Sequence, residues 1–414
     1  GSDYRQDQIA DWEDPERKRE LQEGAALMSG ILRKYGHRGF NLTDDAAPAN
    51  ELPRGAYTAI RFHEWLKRIY GDFPSVCQAW GWTSAQAQTP EDELPYDPYV
   101  VVQFHDWLRA KYGTLEKVSE AWKLPIPPAF GSLHVFGAIE REMIKELKDK
   151  GNNVPAEDAA AFMAEQRRSG ASPNPWGQIN HATVKAAYEQ GVTAGWIDAQ
   201  SFLCECWKNY MVWVKDAARK VNPDLTIGTD AAFYGAAMPE VFAALDYVAP
   251  YYDDFAVKMA VSRGRARRAG DFGACLGSYG EKPANMCGRR ATIWQILFAG
   301  GTGFYYWMFA PEPGMNADLT LSEKHAKYQC EVTEEVMNGI GELFTGSQRI
   351  FDPVAILYSK TSALCDELEK RGQPIAAVSN SIQAFQAVCE DQILNPQLIS
   401  SDELADGWLA RNNI

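Results

Sequence analysis

The sequence predicts an α/β chain: the C-terminal strands of a (β/α)₈ TIM barrel with a helical insertion, followed by part of a Rossmann/flavodoxin-like α/β domain. Three observations carry this expectation. Short apolar segments ending in Asp, Glu, Tyr or Trp alternate with helical patterns, the βαβα signature of a parallel sheet. A pattern of rings and leucines recurs at an offset of 42 residues. Beyond about residue 350 a new strand and helix alternation begins.

A chain of 414 residues can bury one large core and a smaller one. The expected division is a barrel-type catalytic domain over 1–350, with a helical insertion at about 55–125, and the start of a flavodoxin-like domain over 351–414.

Taken in order, residues 16–35 read as a helix, and Phe40 to Asp45 as a strand running into a loop. The repeat comes next. Tyr57, Phe62, His63, Trp65, Leu66, Tyr70, Gly71, Val76, Ala79 and Trp80 recur as Tyr99, Phe104, His105, Trp107, Leu108, Tyr112, Gly113, Val118, Ala121 and Trp122. Each copy places its rings and leucine on one helical face, stops at a Tyr-Gly pair, and adds a second short helix carrying Ala-Trp. Two helix–turn–helix units with Trp65 and Trp107 buried are expected. Two copies are too few for a solenoid. A histidine in such a copy has no ligand partner at metal spacing, so packing or hydrogen bonding beside the tryptophan is its expected role.

Residues 126–195, Pro-rich at both ends, read as a loop excursion that shapes a cleft. A helix over 200–220 leads to strands ending at Asp230, Asp253, Glu281 and Phe309. After the change near 350 come a strand at Val354–Tyr358, helices near 376–390 and 402–410, and a strand near Gln397–Ile399. A barrel assembles its active site from the C-terminal ends of its strands, so five successive strands with polar or aromatic ends favour a barrel over an open sheet.

Composition narrows the function. A net charge of −14 opposes a nucleic-acid partner, and the short cluster Arg263, Arg265, Arg267 and Arg268 reads as a solvated helix face. No run of about eighteen apolar residues would span a membrane. The first residues do not read as a signal peptide, Gly1 and Ser2 read as a cloning remnant, and localisation is left open. Eight cysteines show neither a disulfide framework nor zinc spacing, and Cys204 and Cys206 read as buried free thiols on a helix. Six histidines include no HExxH pair, so neither a metal nor another cofactor is expected. Thirteen Trp, eighteen Tyr and eighteen Phe are enough to fill cores and also to line a cleft where sugar faces stack on rings.

The Phe-x-x-Trp-Leu-x-x-x-Tyr-Gly…Ala-Trp pattern, the segment Trp196-Ile197-Asp198…Phe202, and the run from Ala299 to Trp307 together resemble glycoside hydrolase family 42 β-galactosidases. Their order and spacing match, as does the change near residue 350, where that family passes to a Rossmann-like trimerisation domain. The resemblance covers the chain from the third barrel helix onward. It implies a retaining β-glycosidase, an O-glycosyl hydrolase assembling as a trimer or dimer, with the acid/base at the end of barrel strand 4 and the nucleophile at the end of strand 7. Where the family has Asn-Glu or Asp-Glu, this chain has Asp44-Asp45; where it has Met-Glu, this chain has Gly277-Ser278-Tyr279-Gly280-Glu281.

On that resemblance Asp45 is the expected acid/base and Glu281 the expected nucleophile. Asp44 and Asp230 would hydrogen-bond sugar hydroxyls, while Tyr252, Tyr279 and Trp307 would wall the cleft. One carboxyl kept protonated and one kept ionised is what glycosidic cleavage requires. The alternatives are a catalytically silent carbohydrate-binding barrel and an assembly module. Only five barrel strands are legible before residue 350, so the sequence is also expected to be an internal segment of a longer protein.

Overall fold

The computed structural model describes residues 11, 13–37, 39–44, 55–82, 98–122, 161, 164–165, 168, 174–179, 181–230, 235–249, 258–259, 262, 273–276, 293–294, 297–301, 303–306, 318, 320, 323, 330–331, 334–347, 350–369 and 376–412. Two compact units divide the chain: residues 1–24 with 49–206, and residues 25–48 with 207–414.

The first unit is helical. It takes in the start of α1 (Pro15–Lys34), then α2 (Ala56–Tyr70), α3 (Phe73–Trp80), α4 (Pro98–Tyr112), α5 (Leu115–Trp122), α6 (His181–Glu189) and the first half of α7 (Ala194–Val221). Helices α4 and α5 repeat the bounds of α2 and α3 at the 42-residue offset read from the sequence. The Tyr-Gly stops work as left-handed caps: Gly71 and Gly113 have φ of 89° and 79°, and each donates its N–H to the carbonyl four residues back. The second helix of each copy is capped by a side chain at the same place, Asp72 accepting from Ser75 N at 2.9 Å and Thr114 from Lys117 N at 3.4 Å.

Inward positions repeat as well. Leu66 and Leu108, Val76 and Val118, and His63 and His105 are all buried. The copies also exchange rings: Tyr57 stacks on His105 at 6.3 Å and Tyr99 on His63 at 5.6 Å, both at 27° between planes. Each copy therefore offers its tyrosine to the other's histidine, the reciprocity of a local two-fold.

Two expectations need correction. Trp65 and Trp107 are half-buried, because each indole N–H reaches out to a carboxylate, Glu205 at 3.0 Å and Glu165 at 3.2 Å. The later part of the presumed loop excursion is helical: a 3₁₀ turn at Pro175–Gln178 precedes α6. Trp176, Ile179, Val184 and Ala187 from this stretch join Phe62, Leu66, Val76, Trp80, Phe202 and Cys206 in one core. Burying these apolar side chains offsets the cost of ordering the segment.

The second unit holds every described strand. β1 (Gly39–Asp44), β2 (Thr226–Asp230) and β3 (Tyr247–Ala249) form a parallel sheet in that order. β4 (Gly273–Leu276) lies beside β3 and pairs in parallel with β5 (Gly303–Tyr306). A 3₁₀ turn at Gly235–Ala237 and α8 (Met238–Ala244) connect β2 to β3, and α9 (Ile340–Gly346) follows β5. Ser29 Oγ of α1 donates to the Ala218 carbonyl of α7 at 2.6 Å and Arg33 to that of Val221 at 2.9 Å, which seats the helix that feeds β1.

Residues past 350 add β6 (Ala355–Tyr358), α10 (Lys360–Glu369), α11 (Ala376–Asp391), β7 (Gln397–Ser400), α12 (Ser401–Ala405) and α13 (Trp408–Arg411). β6 and β7 are parallel neighbours joined through two helices, the βαβ order the sequence suggests. Ser400 and Glu403 form a reciprocal capping box that starts α12 directly at the end of β7.

Candidate active site at the strand ends

Parallel strands in register deliver their last residues to one rim, where a barrel enzyme builds its site. β1 and β2 pair as Gly39 with Thr226, Phe40 with Ile227 and Asn41 with Gly228, and then as Asp44 with Asp230. Three steps along β1 thus match two along β2. This one-residue bulge brings the backbone of Asp44, rather than that of Thr43, opposite Asp230. Asp230 in turn pairs with Ala249, so Asp44, Asp230 and Ala249 stand in a row. Neighbouring strands lie about 4.8 Å apart, which sets the spacing of the two aspartate backbones.

The other expected site residues, Asp45, Tyr252, Tyr279, Glu281 and Trp307, lie outside the described residues. In the chain they come within five residues of described strand ends. Asp45 comes after Asp44, Tyr252 shortly after Ala249, Tyr279 and Glu281 after Leu276, and Trp307 after Tyr306. Leu276 and Tyr306 are themselves paired in register.

Sequence reasoning missed a polar bridge on this sheet. The Tyr247 hydroxyl donates to Asn41 Oδ1, linking β3 to β1 across β2. Gly228 makes room for it: a Cβ there would lie 2.4 Å from the Tyr247 carbonyl oxygen and 2.5 Å from its ring. A glycine inside a strand was the available signal, since it marks close approach of a neighbour.

Charged groups fix the entry to β3. Asp246 accepts from Ile227 N at 2.9 Å and from Arg219 at 2.5 Å, and Lys215 lies 4.0 Å away. Lys215 is only 6% exposed and also donates to the Ala244 carbonyl, so its charge is compensated on two sides.

In the first unit, titratable groups are taken up by structure. Asp198 accepts from Trp80 Nε1 at 2.7 Å and Tyr70 Oη at 2.8 Å, and burial raises its carboxyl above the usual range. Cys206 is free and buried; burial holds its thiol pKa well above the ordinary value, and the thiol donates to Glu13 Oε1 at 3.7 Å. Cys204 is a buried thiol outside any disulfide, as the sequence suggests. With its pKa raised, the Cys206 thiol is not poised as a nucleophile. Among the described residues, no three His, Cys, Asp or Glu side chains gather as a metal site would require, and no helix is long and apolar enough to cross a membrane.

No protein-family model matches the chain, and no curated protein matches it in sequence. Several solved structures resemble its fold. A β-galactosidase from Bacillus circulans sp. alkalophilus is 12% identical with a TM-score of 0.46, over 94% of this chain and 49% of that one. One from the psychrophilic Marinomonas ef1 is 11% identical with a TM-score of 0.43, over 95% of this chain and 54% of that one. One from Rahnella sp. R3 is 14% identical with a TM-score of 0.43, over 94% and 49%. The chain spans about half the length of these structures. Likeness at this level assigns neither a family nor a substrate, so a functional assignment has to rest on the strand register and the sequence motifs.

Proposed function

We propose that this chain carries the site-bearing strands of a (β/α)₈-barrel glycoside hydrolase acting on β-glycosidic bonds, with β-galactosides as the first substrates to test. The observation that carries the reading is the bulged register that sets Asp44 beside Asp230 at the ends of adjacent parallel strands. The motif resemblance supplies the chemistry. Asp45 protonates the departing glycosidic oxygen while Glu281 attacks the anomeric carbon, and the glycosyl-enzyme ester is then hydrolysed by water that Asp45 deprotonates. Asp44 and Asp230 accept hydrogen bonds from sugar hydroxyls. Tyr252, Tyr279 and Trp307 stack on the ring faces. No cofactor enters this scheme. Residues 351–414 begin a flavodoxin-like domain through which copies assemble.

An aspartate in place of the family's glutamate, together with the altered strand 7 motif, favours one second reading, a barrel that binds sugar without cleaving it. Hydrolysis of aryl β-glycosides by the purified protein separates the two. Asp45→Asn and Glu281→Gln are each expected to lower kcat by about a thousandfold. Saturable sugar binding with no turnover would select the silent binder, and an absence of both would refute a carbohydrate site.

A further inference from the structure

No turn fixes where β1 settles against β2, because the two strands are far apart in sequence. Both are short, polar and glycine-bearing, a composition that specifies register weakly. Glycine aside, the apolar residues are Phe40 and Leu42 in β1 and Ile227 in β2. A slip has its consequence at the exit of β1. Asn41 is the last residue paired before the bulge and Asp44 the first after it, so an unbulged β1 would carry Thr43 into the row of Asp230 and Ala249.

Strand β3 supplies an anchor against such a slip. Asp246, at its entry, donates its N–H to the Ile227 carbonyl at 2.9 Å and accepts from Ile227 N at 2.9 Å, which ties β3 to β2 without help from β1. Tyr247 follows directly, and Asn41, Gly228 and Tyr247 pair in one row across the three strands. The absence of a Cβ at Gly228 lets the phenol cross β2, and its hydroxyl donates to Asn41 Oδ1. The bridge therefore grips β1 at the residue where regular pairing ends, two residues along β2 from Asp230.

We propose that Tyr247 and Asn41 are positioning residues that lock the register of β1: their bridge keeps the backbone of Asp44, rather than that of Thr43, in the row of Asp230 and Ala249. The lock concerns the backbone alone. Its bearing on catalysis rests on the glycosidase reading, which assigns Asp44 and Asp230 to sugar hydroxyls. A bulge leaves one residue unpaired, so without the bridge the unbulged register gains population.

Tyr247 has contacts besides this bridge, so the test is made at Asn41, an exposed position. Oxidative cross-linking of the full chain, followed by mass spectrometry of the linked peptides, reads the register without any need for turnover. Opposite residues of paired strands stand about 4.8 Å apart, within the span of a disulfide. In a chain carrying Asp230→Cys, linking should favour Asp44→Cys over Thr43→Cys. Adding Asn41→Ala should shift that preference towards Thr43→Cys by about fivefold, the weight of one hydrogen bond. Asn41→Asp, which keeps an acceptor, should leave the preference as it was. An unchanged preference in Asn41→Ala would overturn the lock, as would an equal shift in Asn41→Asp. Linking to Thr43→Cys, or to neither position, with Asn41 intact would overturn the register itself. On an aryl β-glycoside, Asn41→Ala should lower kcat/KM about fivefold and Asn41→Asp should keep it near wild type. A shifted register with unchanged kcat/KM would overturn the link to the site. A wild-type protein that turns over no glycoside would refute the glycosidase reading and leave the cross-linking result as the judge of the lock.

Discussion

The two copies of the helical repeat share bounds, caps and inward positions, yet they use the same side chains differently. In the first, Leu66 and Val76 sit in a core with Trp80, Trp176 and Phe202, and His63 is held between Tyr99 and Trp176. The second copy buries Leu108 and Val118 equally well, but neither joins that aromatic core. Periodicity therefore decides which residues turn inward, whereas elements remote in sequence decide what they meet. The equivalent tryptophans make the point: one indole is tied to Glu205 of α7 and the other to Glu165.

The largest expected difference comes from the packing. Leu66→Ala and Leu108→Ala each empty a fully buried position, and such truncations cost about 2–5 kcal/mol depending on how far the surroundings collapse. Large rings around Leu66 collapse poorly, so Leu66→Ala should lie near the upper end and Leu108→Ala near the lower. Urea unfolding midpoints at constant m-value measure both. A reversed order would show that the surrounding core does not set the difference between the copies.

The same distinction explains what could be read from the sequence. Helices α2 to α5 and the strands of the row were legible because apolar spacing and Tyr-Gly stops are local signals. The strand ends could be placed at Asp230 and, one residue beyond Asp44, at Asp45 for the same reason. Their alignment could not, because it depends on a bulge in β1 that neither strand announces by itself. The 3₁₀ turn and α6 were missed although Trp176, Ile179, Val184 and Ala187 carry helical spacing, because flanking prolines dominated the reading of 126–195. The ion pair between Lys360 and Glu240 spans 120 residues and has no local signature.

Acidity sharpens the comparison, because two buried groups that titrate in opposite senses meet at the first copy, Asp11 at its N-terminal cap and His63 within it. Asp11 caps α2 from outside, accepting from Tyr57 N at 2.7 Å, Thr58 N at 2.8 Å and Thr58 Oγ1 at 2.6 Å; burial pushes its carboxyl up to about 6. Gly55 is required beneath it, since a Cβ there would lie 2.2 Å from the Asp11 carboxyl carbon. His63 donates from Nε2 to the Ile179 carbonyl at 2.6 Å, Nδ1 faces the Tyr99 hydroxyl at 3.3 Å, and burial lowers its pKa to about 4.

The raised Asp11 favours the fold below its unfolded pKa near 3.8, and that contribution is lost as pH rises through 6. The depressed His63 favours the fold above 6.5, and that contribution is lost as pH falls through 4. Each amounts to about 3 kcal/mol by linkage, so in the wild type the two largely cancel across this window. Asp11→Asn should then gain stability from pH 4 to pH 6.5, and His63→Phe should lose it over the same range. Denaturation series at four pH values read the slopes. Parallel curves for the two variants would show that these groups do not titrate as their burial dictates.

The smallest effect separates the two tryptophans. Trp→Phe removes the indole N–H together with the pyrrole part of the ring at both sites, so the difference between the two variants, rather than either value alone, reports the hydrogen bond. Trp65 donates to a Glu205 carboxylate that also holds Arg68 at 3.2 Å, and its ring lies 6.0 Å from Phe62 and 6.2 Å from Phe202. Losing that donor leaves Glu205 with one fewer partner in a partly buried setting, at a cost of about 1 kcal/mol. Trp107 donates to Glu165 in an exposed bond, and Lys111 Nζ stands 4.9 Å from its ring centre. Water can replace that bond, and the Lys111 contact survives on a phenyl ring, so Trp107→Phe should stay within about 0.5 kcal/mol of wild type. Thermal unfolding of both variants reads the difference directly. If Trp107→Phe lowers Tm as much as Trp65→Phe does, exposure is not what distinguishes the copies, and the second copy is held by its carboxylate as firmly as the first.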